Sequence, residues 1–167
     1  PVIPDPQSKW WQSPDLTTNG LDVCATYPLL LADDFPCTNR TAITNIVVWG
    51  SWRKDILPSE GPGAPTFFLS IHSDIPAVTG GPQYSMPGTA LWWRPCPPST
   101  YSVTIERDRL HEGWYSPQQE EYLPWTEPGD TVCYRYTFQI PLVDAFVQTG
   151  TVINPIVYWL DVQAMPV

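Results

Sequence analysis

The chain has 167 residues, of which 43% are hydrophobic, and this is enough for one domain with a core of its own. Only 15% of the residues are charged and the net charge is −9, so the phosphate backbone of a nucleic acid would repel the chain. The composition excludes a disordered chain and disfavours nucleic-acid binding, while a cation, a neutral glycan or a protein partner remains compatible with it.

The chain begins with a polar, proline-rich stretch, residues 1–20, which contains Trp10 and Trp11. This predicts an extended arm that packs on a later sheet or on a neighbouring molecule. Residues 21–167 are predicted to form a single domain, because no repeat or linker divides them. The chain shows no signal peptide, so we expect its first residue to be a processed end. No apolar run is long enough to predict a transmembrane segment.

Short apolar runs, most of them alternating with polar residues, predict strands along the rest of the chain. The β-branched run 43–49 predicts a strand buried on both faces, and residues 142–148 are predicted to form the one helical turn. Residues 73–88 are expected to be a loop. The other predicted strands and hairpins are 29–35, 67–72, 91–93 (ending before Pro95), 101–106, 114–122, 132–140 and 156–163. With 21 prolines, the pattern predicts an all-β, jelly-roll-like antiparallel β-sandwich with long proline-rich loops.

The chain has four cysteines, and an even number in a lysine-poor chain favours disulfides and an oxidising compartment. Four cysteines allow three connectivities; we prefer Cys24–Cys37 and Cys96–Cys133 because each pair closes a local loop. Four free, buried thiols are the alternative, and zinc is disfavoured because no Cys-x-x-Cys or paired histidine is present. Asn39 begins a glycosylation sequon, which has meaning only in an organism that glycosylates it.

Five segments of the chain together resemble a known family. They are LADDF at 31–35, VWGSW at 48–52, LSIHSDIP at 69–76, YSMPG at 84–88 and IVYWLDVQA at 156–164. The set resembles uncharacterised secreted bacterial β-sandwich domains of planctomycete-like and environmental genomes, from about residue 9 to residue 164. The resemblance implies a β-sandwich, export and a surface or matrix location, and no activity. Family members continue with further strands beyond this point, so the chain is cut, or its remainder is disordered, or a neighbour supplies a strand.

Three acids suggest a cation site. Asp33 and Asp34 follow an apolar run, and Asp161 lies in the last predicted strand. Carboxylate oxygens are the ligands that calcium prefers, so calcium is the cofactor that such a site would take. The alternative is that one of the adjacent acids caps a turn and that Asp161 faces solvent. No Asp-x-Asp-x-Asp-Gly loop supports the site.

Two further groups of residues have the chemistry of catalytic machinery. His72 precedes Asp74 by two residues, but no nucleophile motif such as Gly-x-Ser-x-Gly accompanies it. Glu112, Glu120 and Glu121 offer carboxylates of the kind used in glycoside hydrolysis. Adjacent residues of a strand point to opposite faces, so Glu120 and Glu121 cannot themselves be the catalytic pair. We therefore expect no enzymatic activity.

Aromatic residues at strand ends and in loops are the candidate binding residues. Exposed aromatic side chains stack on sugar rings or anchor a protein interface; the alternative is that they cover the ends of the sandwich as a second core. The candidates are Trp10, Trp11, Trp52, Trp93, Trp114, Tyr115 and Trp125.

The sequence predicts a non-catalytic extracellular structural module, such as a surface, adhesion, filament or matrix subunit. It would associate with copies of itself or with neighbouring surface proteins, through added strands or aromatic contacts. The alternative is a carbohydrate-binding module that uses the loop aromatics, assisted by calcium, although fold alone is only an analogy for this function.

Overall fold

The computed structural model describes residues 8–127 and 129–167, and strands dominate them. A single 3-10 turn, Arg53–Asp55, interrupts the strands, and no α-helix occurs in the described part of the chain. The strands are β1 (Leu21–Val23), β2 (Leu31–Cys37), β3 (Ala42–Ile43), β4 (Asn45–Ser51), β5 (Phe67–Ile75), β6 (Met86–Cys96), β7 (Tyr101–Arg107), β8 (Gly113–Ser116), β9 (Glu121–Leu123), β10 (Cys133–Gln139), β11 (Phe146–Val147) and β12 (Ile156–Ala164).

Two antiparallel sheets form a β-sandwich. The first sheet has the strand order β2-β12-β5-β6 and the second has the order β4-β10-β7. Alternate residues of each strand point inward, so that Phe67 and Leu69 of β5 meet Tyr136 and Phe138 of β10 in one buried cluster. The Phe67 ring lies 5.0 Å from the Tyr136 ring and 5.4 Å from the Phe138 ring, between centroids. The prediction of an all-β sandwich is confirmed, and its jelly-roll character stays a prediction.

A third, small sheet has the strand order β1-β8-β9 and lies against one end of the second sheet. Strands β1 and β8 are parallel, with Asp22 opposite Trp114. Glu112 and Asp130 form a β-bridge, and the Leu110 N–H donates to the carbonyl of Thr131, 2.9 Å away. These contacts hold the small sheet beside the start of β10, and they bring three acidic residues together.

The described part of the arm, residues 8–20, contains no strand and lies against the second sheet. The indole of Trp11 meets the indole of Trp49 edge-on, with 5.0 Å between ring centroids. Lys9 Nζ donates to Gln148 Oε1 at 2.7 Å. The first seven residues of the predicted arm lie outside the described residues.

Local structure departs from the sequence expectations in three places. Strand β4 is an edge strand in which only Ile46 is buried, so the prediction of burial on both faces is wrong. The loop expected at 73–88 is confined to residues 76–85, because β5 continues to Ile75 and β6 begins at Met86. Strand β6 passes through Pro87 and Pro95, since one side of an edge strand needs no N–H donors. The helical turn at 142–148 is replaced by β-turns and by β11, which pairs with β3.

The predicted disulfides are absent, and all four cysteines are free thiols. Cys37 lies on β2 and packs in a cluster around Phe35 and Tyr158, while Cys24 follows β1 beside the small sheet. Cys96 ends β6 of the first sheet, and Cys133 begins β10 of the second sheet. The disulfide pairs were predicted from proximity along the sequence, but the two cysteines of each preferred pair lie on or beside different sheets. Among the described residues, no helix is long and apolar enough to cross a membrane.

Candidate functional site

Strand β4 is an edge strand whose own sequence lacks the proline and the charge that usually protect an edge. It pairs with β10 on one side, and in the described part of the chain no strand pairs with its other side. Its sequence, NIVVWGS, contains no proline and no charged residue. By contrast β2 contains Pro36, β6 contains Pro87 and Pro95, and β7 contains Glu106 and Arg107. Proline and charge discourage a further strand from adding to an edge, so β4 is the edge most open to pairing.

A long cleft of about 1560 Å³ runs between β4 and β2, where the two sheets of the sandwich leave their edges apart. This volume exceeds the roughly 300–1,000 Å³ of most small-molecule pockets. Half-buried core side chains line it, including Val48, Leu160 and Val162. Both flanking strands have seven residues, so each spans about 23 Å at roughly 3.3 Å per residue. These dimensions suit an extended peptide better than a compact ligand.

The N-terminal arm already contacts this cleft. Residues 8–14 line it together with β4, and Trp11 reaches Trp49 as described. These seven residues, SKWWQSP, contain one basic side chain and no acid, whereas the whole chain has a net charge of −9. The segment is therefore complementary in charge to the body on which it lies.

A second feature is a buried acid cluster, formed by Asp22, Glu112 and Asp130. One carboxylate oxygen from each residue lies within 4.8 Å of the others. Glu112 is 4% exposed and Asp130 is 1% exposed. The space around them is tight, because a Cβ atom on Gly20 would lie 2.7 Å from Glu112 Oε1 and 2.3 Å from a backbone oxygen. Glycine at this position therefore allows the small sheet to approach the acids closely.

Burial makes these carboxyls weak acids. It is the largest cause of the raised pKa of Asp22, and it raises the pKa of Glu112 to about 7 and that of Asp130 to about 9. Mutual repulsion adds to the effect on Glu112 and Asp130, while the nearby hydroxyl of Ser51 lowers the pKa of Asp22 and Asp130. That hydroxyl makes no hydrogen bond of normal geometry within the described residues. Burial, followed by repulsion from the cluster, also raises the pKa of the Cys133 thiol to about 12.

A match to a protein family covers nearly the whole length of the chain. The model of one family, a domain of unknown function (DUF7901), matches residues 8–167. The chain belongs to this family. No curated protein and no solved structure matches it. The expectation of a family without an established activity is confirmed, and family membership assigns no role to the cleft or to the acid cluster.

We expect the thermal stability of the cation-free protein to fall as the pH rises from about 5 to about 9. Glu112 and Asp130 keep protons to about pH 7 and about pH 9 in the folded state, but to only about pH 4 when unfolded. The folded state therefore binds more protons across this window, and the free energy of unfolding decreases as the pH rises. Asp15, Asp22, Glu106 and Cys133 are the other titratable groups near the cluster.

Melting curves recorded in a chelator at pH 5, 7 and 9 test this expectation. The variant Asp130→Asn removes one of the titrating groups, so its melting temperature should vary less with pH. A melting temperature of the unmodified chain that stays constant or rises over this range would contradict the raised pKa values.

The structure does not bring together the acids predicted to bind calcium. Asp33 and Asp34 are neighbours in β2 and so point to opposite faces of the sheet. Asp161 is buried in β12, where its Oδ2 lies 3.1 Å from His72 Nε2. Among the described residues, the group whose carboxylate oxygens converge is the acid cluster. Of its members, sequence reasoning had singled out only Glu112, in another role.

His72 makes contacts that do not form a catalytic relay. Its Nδ1 donates to the carbonyl of Gly88 at 2.9 Å, because a carbonyl can only accept. Its Nε2 meets both Ser70 Oγ, at 3.2 Å, and Asp161. In a catalytic triad, one ring nitrogen of the histidine contacts the nucleophile and the other contacts the orienting acid. Here the hydroxyl and the carboxylate both lie at the same nitrogen, so these residues do not form a triad. Asp74 instead accepts a hydrogen bond of 2.8 Å from Trp159 Nε1.

The candidate aromatics occupy three kinds of environment. Trp114 is buried beside the acid cluster, and Trp11 and Trp52 are half-buried. The indole N–H of Trp52 donates to Tyr136 Oη at 3.1 Å. The exposed members are Trp10, Trp93, Tyr115 and Trp125.

Of the remaining candidates, Asn39 lines the cleft, whereas Glu120 and Glu121 do not. Glu121 forms an ion pair with Arg53, and Glu120 is exposed in the turn before β9. Asn39 is exposed, and its side-chain oxygen accepts a hydrogen bond of 2.8 Å from the hydroxyl of Thr41. These contacts give Glu121 and Asn39 local structural partners.

Proposed function

We propose that this domain is a non-catalytic assembly module whose β4 edge and adjoining cleft accept the N-terminal arm of a second copy of the chain. The observation that carries the proposal is the unpaired β4 edge, which has no proline or charge and lies beside a large cleft. An extended segment that adds to an exposed edge gains main-chain hydrogen bonds, and its side chains gain specificity from the cleft. The extracellular, bacterial surface or matrix role implied by the sequence motifs belongs to this proposal.

The chain's own contacts identify the N-terminal arm as the occupant of the cleft. Residues 8–14 line the cleft within one molecule, and they contain no strand that ties them to it. A segment that is held mainly by side chains, such as Trp11 on Trp49, can leave its own cleft and enter that of a neighbour. Exchange of an identical element between copies requires no new complementary surface. A head-to-tail exchange of this kind extends into a filament unless it closes.

The proposal is tested with a chain that lacks residues 1–14 and a synthetic peptide of those residues. We expect the labelled peptide to bind the shortened chain saturably, since the cleft and β4 are then free. An edge-to-face aromatic pair contributes about 0.5–1.5 kcal/mol beyond its burial. A peptide with Trp11→Ala should therefore bind about tenfold more weakly or worse.

Fluorescence anisotropy measures both affinities, and a peptide with Trp10→Ala is the matched control, since Trp10 is 48% exposed. Equal binding of the Trp11→Ala and Trp10→Ala peptides would show that the Trp49 contact does not guide the arm. No binding of the unmodified peptide would overturn the proposal.

One observation favours carbohydrate binding as a second candidate. Trp93 is 68% exposed, and it lies opposite Ser70 on the outer face of the first sheet. Trp159 and His72 are neighbours on the same face. Aromatic rings beside polar groups are the usual composition of a sugar-binding surface. Glycan binding that Trp93→Ala abolishes would favour this function over assembly.

A further inference from the structure

The buried acid cluster lacks the partners that buried charges require. Four of its oxygens, Asp22 Oδ2, Glu112 Oε2 and both oxygens of Asp130, are buried and make no hydrogen bond with the described residues. Asp130 is 1% exposed, so water has little access to it. Buried polar atoms without partners are rare in folded proteins, and a bound ion is one of the few explanations.

Among the described residues, no basic side chain forms an ion pair with the cluster. The salt bridges of the described residues involve other acids, and none reaches Asp22, Glu112 or Asp130. The charged group that adds to the field on Glu112 from outside the cluster is Asp15, which is itself acidic. The carboxylates therefore need either protons or a bound cation, and one cation can partner all three residues at once.

We propose that Asp22, Glu112 and Asp130 bind a calcium ion, which joins the small sheet to the second sheet of the sandwich. The donor set consists of carboxylate oxygens, and such hard ligands select calcium or magnesium over softer metals. Magnesium demands near-ideal octahedral geometry and usually keeps several waters, for which the burial of Glu112 and Asp130 leaves little room. Calcium accepts bidentate carboxylates and irregular geometry, so three carboxylates supply much of its coordination.

The three ligands come from distant parts of the chain, so a bound ion would hold these parts together. Asp22 lies on β1, directly after the arm, while Glu112 precedes β8 and Asp130 precedes β10. Calcium would replace mutual repulsion between these segments with attraction to a common centre. The small sheet would then be fixed to the sandwich independently of whether the arm occupies its own cleft or that of a neighbour.

Calcium titration of the full chain is the test. At a free calcium concentration 100-fold above the dissociation constant, we expect the melting temperature to rise by on the order of 5–10 °C relative to chelator. Magnesium should give a smaller rise. Terbium, a calcium substitute, should show luminescence excited through Trp114, the cross-strand neighbour of Asp22.

Two variants give the proposal a signature that a purely structural role would not reproduce. Asp130→Asn should melt at a higher temperature than the unmodified chain in chelator, because an amide needs neither a proton nor a cation in order to be buried without charge, and it should lose the calcium response. Asp34→Asn, on the first sheet, is the matched control and should keep the full response. If the Asp130 variant does not fold, Asp22→Asn replaces it.

The proposal fails if calcium changes neither the melting temperature nor the terbium signal of the unmodified chain. It also fails if Asp34→Asn loses the calcium response as fully as Asp130→Asn does. An equal rise with magnesium and calcium would overturn the assignment to calcium.

Discussion

Replacing Phe138 by alanine is expected to lower the free energy of unfolding by about 3–5 kcal/mol, the usual cost of removing a large buried aromatic side chain. Phe138 is 1% exposed, and its ring centroid lies 5.4 Å from that of Phe67 and 5.2 Å from that of Tyr101. It therefore packs against both sheets, and truncation would leave a cavity between them. Urea denaturation measures the loss.

The matched control for this variant is Val143→Ala. Val143 is 90% exposed, so the change should alter the free energy of unfolding by less than about 0.5 kcal/mol. If Phe138→Ala is too unstable to purify, Phe138→Leu should retain the fold at a smaller cost. A loss below about 1 kcal/mol for the alanine variant would mean that the two sheets do not share this core.

Strands were predictable where burial alternates along them. Residues 132–140 and 156–163 show an apolar–polar alternation, and the structure has β10 and β12 at these places. The apolar run before Gly50 was predicted as a strand buried on both faces, but only Ile46 of β4 is buried. The pattern of apolar and polar side chains indicates what the two faces of a strand contact. It does not indicate whether a further strand is hydrogen-bonded to each side of that strand, so the sequence did not reveal the open side of β4.

The acid cluster escaped sequence reasoning because its members are far apart in the chain. Asp22, Glu112 and Asp130 belong to three segments that only the small sheet brings together. Adjacent acids such as Asp33 and Asp34 attracted attention instead, although neighbours in a strand diverge. One local signal was available, since a glycine lies within two residues of each cluster member.

The cysteine prediction failed for a related reason. Short separations along the chain made Cys24–Cys37 and Cys96–Cys133 the natural pairs, but loop length does not place two thiols face to face. The free thiols of the structure also remove one argument for export. The proposed extracellular role therefore rests on the sequence motifs and on the assembly surface.

Exchange of the arm between copies can be trapped by a disulfide between two different molecules. One chain has Trp11→Cys and the other Trp49→Cys, because these side chains meet within a single molecule. A double variant with both substitutions is the positive control, since it should form the bond internally. Each single variant alone controls for bonds to the four native cysteines.

The most direct measurement of the proposed assembly is the yield of the disulfide between positions 11 and 49 in a mixture of the two single variants. The chains are incubated under mild oxidation at about 1 mM, in the range of effective concentrations for tethered segments, and mass spectrometry identifies the linked peptides. We predict a covalent heterodimer with the 11–49 bond, in an amount that grows with concentration. An internal bond in the double variant, with no 11–49 bond in the mixture, would contradict assembly through the arm.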